Sequence, residues 1–191
     1  LFSNGTLITE VANTDSVTAV ISALVNGKTW VKAIADDGTI QVADSFYFIV
    51  NPDVTIADLP AGTHDGINYI NDSTVVLALT APDKDFVYAI GDFSNWEAES
   101  EYFMNRTTDG KHWWITVNGL TPQVEYVYQY LVDGSLRIAD PYCDKILDSY
   151  NDFYISEATY PGLIDYPTGK TSGIVSVLQT AQSPYNWQVT N

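Results

Sequence analysis

The 191-residue chain is poor in cysteine, histidine and basic residues, with one Cys, two His and eight Lys plus Arg. Because Cys143 stands alone, no internal disulfide can form. The 24 carboxylates bring the formal net charge to −16, which argues against nucleic acid as a partner and against an anionic membrane surface. Apolar runs are five residues or shorter, whereas a membrane-spanning helix needs about 20, so we expect no membrane insertion.

Several catalytic motifs are also missing. There is no glycine-rich phosphate loop and no Gly-x-Ser-x-Gly nucleophile elbow, and neither histidine is at metal-ligand spacing from Cys143. A glycosidase needs only two carboxylates, but acidic stretches such as 97–101 are typical of solvated loops. Asp144, Asp148 and Asp152 lack the EF-hand pattern, which leaves calcium binding a minor hypothesis. We therefore expect no cofactor and no metal site.

Alternating apolar residues and frequent Asn-Gly and Asp-Gly pairs predict an all-β fold. We expect two consecutive Ig-like or early-set β-sandwiches, at 1–52 and 53–155, followed by an extended linker at 156–191. Four or five strands in about 50 residues would make a thin sandwich, so we expect that the first unit is truncated at its N-terminus or leans on its neighbour. Because Leu1 is not a Met, the chain reads as a piece of a longer one. The predicted strands are Leu7–Val11, Val17–Leu24, Thr29–Ala35, Phe46–Val50, Thr74–Thr80, Phe86–Gly91, Tyr102–Arg106, Trp113–Val117, Glu125–Val132 and Leu136–Ile138.

Aromatic residues are the strongest candidates for a binding site. Trp96 lies on a polar turn after a predicted strand, where an indole is costly to expose unless something covers it. In the strand that follows, period-two alternation places Trp113 towards the core and Trp114 outside. Such rings can stack on sugars, or they can belong to the core or to a seam between domains. The sequence leaves both interpretations open.

Three motifs in this order resemble the carbohydrate-binding modules of family 48, the early-set β-sandwiches that accompany starch-processing barrels. They are Val87–Trp96 with its Gly-Asp-Phe-Ser-Asn-Trp turn, Trp113–Leu120, and Tyr128–Gly134 with its Val-Asp-Gly turn. The following Ala-Asp-Pro-Tyr sequence, Ala139–Tyr142, is similar to the signature where this module meets the barrel in glycoside hydrolase family 13. Residues 1–50 resemble the Ig-like domain, and 166–187 the pre-barrel segment, of α-amylase-like proteins from Bacteroides-type bacteria.

The resemblance implies specific site residues. The family's first stacking tryptophan corresponds to Trp96, its second falls near Leu136, and its lysine corresponds to Gln129. Leu136 cannot stack as a tryptophan would, and Gln129 lacks the charge. The sequence-based candidates for sugar contact are Trp96, Trp114, Gln129, Leu136 and Asn151. The candidates for docking against a barrel are Asp140, Pro141, Tyr142, Tyr185 and Trp187.

The resemblance therefore implies a non-catalytic accessory region that packs against or positions the downstream catalytic barrel of a starch-degrading or other α-glucan-degrading enzyme. The alternative is an active starch-binding or glycogen-binding module that stacks sugar on Trp96. A free-standing enzyme is the least favoured of the three hypotheses, because a family 13 barrel of about 250 residues would not fit in this chain. The partners implied are the chain's own catalytic domain and an α-glucan, and the location is secreted, periplasmic or at the cell surface.

Overall fold

The computed structural model describes residues 1–22 and 24–183 and confirms the all-β fold. The strands are β1 (Phe2–Ser3), β2 (Thr6–Leu7), β3 (Gly27–Asp36), β4 (Gln41–Val50), β5 (Gly66–Asn71), β6 (Thr74–Thr80), β7 (Val87–Gly91), β8 (Asn105–Arg106), β9 (His112–Val117), β10 (Glu125–Val132), β11 (Leu136–Ile138), β12 (Lys145–Leu147) and β13 (Val175–Gln179). Short 3-10 helices span Asp92–Ser94, Ser100–Tyr102 and Asp152–Tyr154. Within the described ranges no helix is long and apolar enough to cross a membrane.

The chain divides into two compact units, Leu1–Asp53 and Val54–Asn191. The first unit contains one antiparallel sheet with strand order β2-β1-β3-β4. Strands β3 and β4 pair along their full ten residues, and the Asp37-Gly38 pair lies in the turn between them. Gly38 has a φ of +84°, a left-handed conformation that glycine adopts without steric penalty.

Two predicted strands of the first unit are wrong. The described residues of Val17–Leu24 form no strand, and of Leu7–Val11 only Leu7 lies in one. A strand needs a hydrogen-bonded neighbour, and β1 pairs with β3 through Ser3 and Val31 on the side away from β4. Instead, Val20, Ile21, Ser22 and Leu24 line a cavity of about 300 Å³ with Ser3 and Thr29, and Val20 and Leu24 are exposed.

The second unit contains two antiparallel sheets. One has the order β5-β6-β9-β8, and the other has the order β11-β10-β13-β12, with β7 also paired to β10. The core between them is built by alternation, since Trp113, Ile115 and Val117 of β9 are buried as predicted. Packed against them are Val75, Leu77, Leu79, Val87, Ala89, Met104, Leu120, Tyr128, Tyr130, Val132 and Leu178.

The segment predicted as a linker contains a strand of this second sheet. Strand β13 pairs with β10 from Glu125 to Tyr128 and with β12 on its other side. Leu178 joins the core between the sheets, whereas Val175 and Val177 pack on the opposite, outer face. The apolar run is thus explained by a strand that is buried on both faces, and its residues are not free to cover another domain.

We expect the substitution Leu178→Ala to lower the free energy of unfolding by about 2–5 kcal/mol, because it leaves a cavity in the core. Ile174→Ala is the matched control, since Ile174 lies just before β13 and is exposed, and we expect an effect under about 1 kcal/mol. Urea unfolding of both variants measures the difference. Equal, small effects would show that β13 does not belong to the folded core.

Candidate functional site

A turn at the end of β7 positions Trp96 against β10. Asp92 holds this turn with both carboxylate oxygens: Oδ1 accepts a hydrogen bond from the Trp96 indole N–H at 3.0 Å, and Oδ2 accepts one from the Val127 backbone N–H at 2.9 Å. The turn approaches β10 so closely that a Cβ at Gly91 would lie 2.4 Å from the Val127 carbonyl oxygen. Only glycine fits at that position without a shift of the backbone.

The turn buries the Trp96 ring. Its side chain is 5% exposed and belongs to a cluster with Val127, Leu147, Val175 and Val177 on the outer face of the sheet. Trp96 also has a φ of +63°, a costly conformation for a bulky residue, and we attribute its retention to this packing and to the bond from Asp92. The sequence left a stacking platform and a core position open for Trp96, and in this structure the ring occupies the core position.

A segment that we call the strap, residues 156–174, covers this outer face. Leu163, Ile164 and Tyr166 pack on the Trp96 cluster. The strap is long and carries few regular hydrogen bonds of its own, so its position depends on side chains of the sheet. The segment therefore has the sequence of a linker, although its side-chain contacts make it part of the folded unit.

Gln129 fixes the C-terminal end of the strap. This fully buried side chain donates from Nε2 to the Ser172 carbonyl at 3.0 Å and to the Ile174 carbonyl at 2.7 Å, and its Oε1 accepts from the Thr171 hydroxyl. Each polar atom of the amide is satisfied within the protein. The resemblance implies a sugar contact at Gln129, but its hydrogen-bonding groups are already used.

The remaining predicted sugar contacts do not join Trp96 and Gln129. Trp114 lies in β9 of the other sheet, half-buried on the face opposite the core, and its indole N–H donates to the Ala57 carbonyl at 2.8 Å. Leu136 is exposed on β11, and exposed Asn151 donates from Nδ2 to the Asp148 carboxylate. The five candidates therefore do not form one open site.

Asp140, predicted as a docking residue, is buried and organises the loop after β11. Its Oδ2 accepts hydrogen bonds from the hydroxyls of Tyr128 and Tyr130 at 2.8 and 2.9 Å, and its Oδ1 accepts from the Tyr142 backbone N–H at 2.9 Å. The Asp140 N–H donates to the Ser176 hydroxyl of β13 at 2.6 Å. Such charge-assisted bonds are among the stronger ones in proteins. Asp140 thus positions the loop, and it is not itself accessible to a partner.

The loop held by Asp140 leads into a segment rich in exposed rings, which we call the aromatic segment (Tyr142–Ile155). Pro141, predicted for docking, is exposed immediately before it. The exposed large side chains of the segment are Tyr142, Ile146, Tyr150, Phe153, Tyr154 and Ile155, and Phe153 reaches 87% exposure. The Phe153 and Tyr154 rings contact each other edge-on, with centroids 5.5 Å apart. Tyr185 and Trp187, also predicted for docking, lie outside the described residues.

The carboxylates of the aromatic segment shape its turns. The Asp148 Oδ1 accepts the Tyr150 backbone N–H at 2.9 Å, and Asp152 Oδ2 accepts the Asp148 backbone N–H at 2.8 Å. The hypothesis of a calcium site used these same aspartates. Across the described part of the chain no group of three His, Cys, Asp or Glu residues is arranged to hold a metal ion.

Sequence reasoning missed Tyr150, Phe153 and Tyr154. The available signal was the sequence Tyr150–Tyr154, in which three rings flank Asn151 and Asp152 in a stretch that shows neither strand nor helix periodicity. Rings in such a turn have no regular core face to enter. The Asp-Pro-Tyr motif of the resemblance ends at Tyr142 and does not include this stretch.

No protein-family model and no curated protein matches the chain. Among solved structures, a crystal structure of a candidate alpha amylase from Salmonella typhimurium is similar over 41% of this chain, with 22% identity and a TM-score of 0.34. The match spans 12% of that protein's own length. A partial likeness at this level identifies no family.

The buried state of Trp96 predicts the result of its removal. We expect Trp96→Ala to lower the free energy of unfolding by about 3–5 kcal/mol, because it empties the cluster beneath the strap. Trp30→Ala is the matched control: Trp30 is 47% exposed on the first unit, and we expect its removal to leave the unfolding of the second unit unchanged. Urea unfolding followed by circular dichroism measures both. A Trp96 variant as stable as the wild type would show that the ring is not buried.

The Asp140 network predicts a loss of stability at alkaline pH. Burial raises the pKa of Tyr128 and of Tyr130 well above the ordinary value near 10, and each ring's negative neighbours raise it further. As the pH rises above about 10, the unfolded tyrosines lose their protons before the folded ones do. The unfolded state then binds fewer protons, so the free energy of unfolding falls with pH.

The double variant Tyr128→Phe, Tyr130→Phe should show a shallower decline, measured as the slope of unfolding free energy against pH from 9 to 11. Slopes are compared because removing both donors from buried Asp140 also lowers stability at neutral pH. Tyr150→Phe is the control, since Tyr150 is exposed and makes no contact with Asp140 among the hydrogen bonds described. An unchanged slope in the double variant would contradict this account.

Proposed function

We propose that this chain is a non-catalytic accessory region of a secreted or cell-surface enzyme that degrades α-glucans. Its aromatic segment would pack against the catalytic domain of the same polypeptide. The observation that carries the proposal is the concentration of exposed rings along Tyr142–Ile155 directly after the buried Asp140 anchor. Exposed apolar groups gathered in one place are typical of surfaces that bind another protein surface.

The aromatic segment has the properties of a preformed interface. Asp140 fixes its first residues to β10 and β13, and Asp148 and Asp152 fix its turns, so little ordering would be needed on association. Tyrosine and phenylalanine are enriched in the centres of protein interfaces because they bury much area with few rotatable bonds. Among the described strands, β12 pairs with β13 alone, which leaves a short free edge beside these rings.

The assignment to α-glucan degradation depends on the resemblance of Val87–Trp96, Trp113–Leu120 and Tyr128–Tyr142 to family 48 modules beside family 13 barrels. The described residues form β-strands and 3-10 helices and contain no α/β barrel that could supply such a reaction. Docking is favoured over sugar binding at Trp96, because the strap covers that ring and occupies the hydrogen-bonding groups of Gln129.

The proposal is tested with the catalytic domain of the natural polypeptide produced separately and mixed with this chain. We expect the two to associate, and we expect Tyr150→Ala, Phe153→Ala to weaken the association by about tenfold or more, as loss of buried interface rings does. Calorimetric titration measures the affinity. This chain alone should release no reducing ends from starch.

Val124→Ala is the matched control, because Val124 is an exposed apolar residue of the same unit outside the aromatic segment. It should leave the affinity unchanged, and the ring variant should unfold at the same urea concentration as the wild type. An affinity that is unchanged after the loss of both rings would refute docking through this segment. Reducing ends produced by the purified chain would refute the non-catalytic role.

A further inference from the structure

The β3–β4 ribbon of the first unit has two chemically different faces. Cross-strand pairing places Lys28, Trp30 and Lys32 on one face. Their partners on β4 are, in the same order, Ile49, Tyr47 and Ser45. The opposite face carries Thr29 and Val31, which are buried, opposite Phe48 and Phe46.

Trp30 therefore lies on the face of the ribbon opposite the buried Thr29 and Val31. Trp30 and Tyr47 are directly opposite each other, 47% and 39% exposed, with ring centroids 4.9 Å apart and planes tilted by 53°. The Lys28 ammonium lies 5.3 Å from the centre of the Tyr47 ring, within the range of a cation–π interaction. On this solvent-facing side of the strand, Trp30 is flanked by two of the eight basic residues of the chain, Lys28 and Lys32.

We propose that this face, which we call the Trp30–Tyr47 platform, binds a polysaccharide of neutral pyranose sugars. The apolar C–H side of a pyranose ring fits the Trp30 indole. Sugar hydroxyls accept hydrogen bonds from the ammonium groups of Lys28 and Lys32, and the Ser45 hydroxyl can either donate or accept. The pair of tilted rings suits two successive sugars of a bent chain. Because the sheet surface is open, it can bind the interior of a polysaccharide and does not require a chain end.

Charge selects against an acidic polysaccharide. Residues 1–53 carry six carboxylates, at 10, 15, 36, 37, 44 and 53, against Lys28 and Lys32, so the first unit has a formal charge of −4. The whole chain carries −16. A polyuronate would be repelled by this field, whereas a neutral glucan would not. The platform uses none of the aromatic segment, so it does not depend on the docking role proposed above.

The test is affinity electrophoresis of the full chain in gels containing soluble starch, hydroxyethyl cellulose, galactomannan or polygalacturonate. We expect at least one neutral polymer to retard the wild-type chain and polygalacturonate to leave it unretarded. Trp30→Ala should weaken the binding by about fivefold or more, as loss of one stacking ring does. The Lys28→Ala, Lys32→Ala variant, which keeps both rings, should bind more weakly than the wild type.

Phe46→Ala is the matched control, because Phe46 is an exposed ring on the opposite face of the same ribbon. It should keep the wild-type retardation, and Trp30→Phe should recover most of what Trp30→Ala loses. Three results would overturn the platform: no retardation by any neutral polymer, equal retardation of wild type and Trp30→Ala, or concentration-dependent self-association of the wild type that Trp30→Ala abolishes. The Tyr150→Ala, Phe153→Ala variant should be retarded like the wild type, which separates this test from that of docking.

Discussion

Strand β10 is buried on both faces, and this constraint decides where the candidate residues of the second unit lie. Tyr128 and Tyr130 point into the core between the sheets, whereas Val127 and Gln129 point to the outer face. A sheet with two covered faces needs a layer on each side. The other sheet supplies one layer, and the Trp96 turn together with the strap supplies the second. The side chains that were expected to contact a sugar on the outer face, Trp96 and Gln129, are buried by this packing.

The same strand links the interior to the aromatic segment. Tyr128 and Tyr130 carry their hydroxyls to Asp140, and Asp140 holds the Tyr142 N–H and the Ser176 hydroxyl. Burying a carboxylate is unfavourable unless its oxygens are satisfied, and here both are. The Asp-Pro-Tyr motif therefore acts through two different residues. Asp140 determines the course of the loop, and the exposed Tyr142 is available for contact.

Sequence patterns predicted the regular elements of the second unit better than its covering layers. Alternation placed Trp113, Ile115 and Val117 in the core, because a strand with one apolar face leaves a period-two signal. It could not place Trp96, whose burial depends on the strap some 65 residues later in the chain. Strand β13 was missed for a related reason: Ile174–Leu178 is a short apolar patch in a segment rich in Pro, Gly, Ser and Thr, and its burial on both faces depends on distant parts of the chain. In the first unit, Val17–Leu24 was predicted from alternation, but its described residues pair with neither edge of the sheet, so an alternating pattern alone does not make a strand.

Trp30 and Trp96 show how local context determines whether a tryptophan is available. Trp96 follows Asn95 in a turn with left-handed backbone angles, and a neighbouring carboxylate fixes its indole N–H, so the ring is directed back onto the sheet. Trp30 lies in a regular strand, where its direction is set by alternation with buried Thr29 and Val31. A strand residue whose neighbours on both sides are buried must face the other way. The position that resembles a known sugar-binding tryptophan is thus closed, whereas the one selected by simple strand geometry is open.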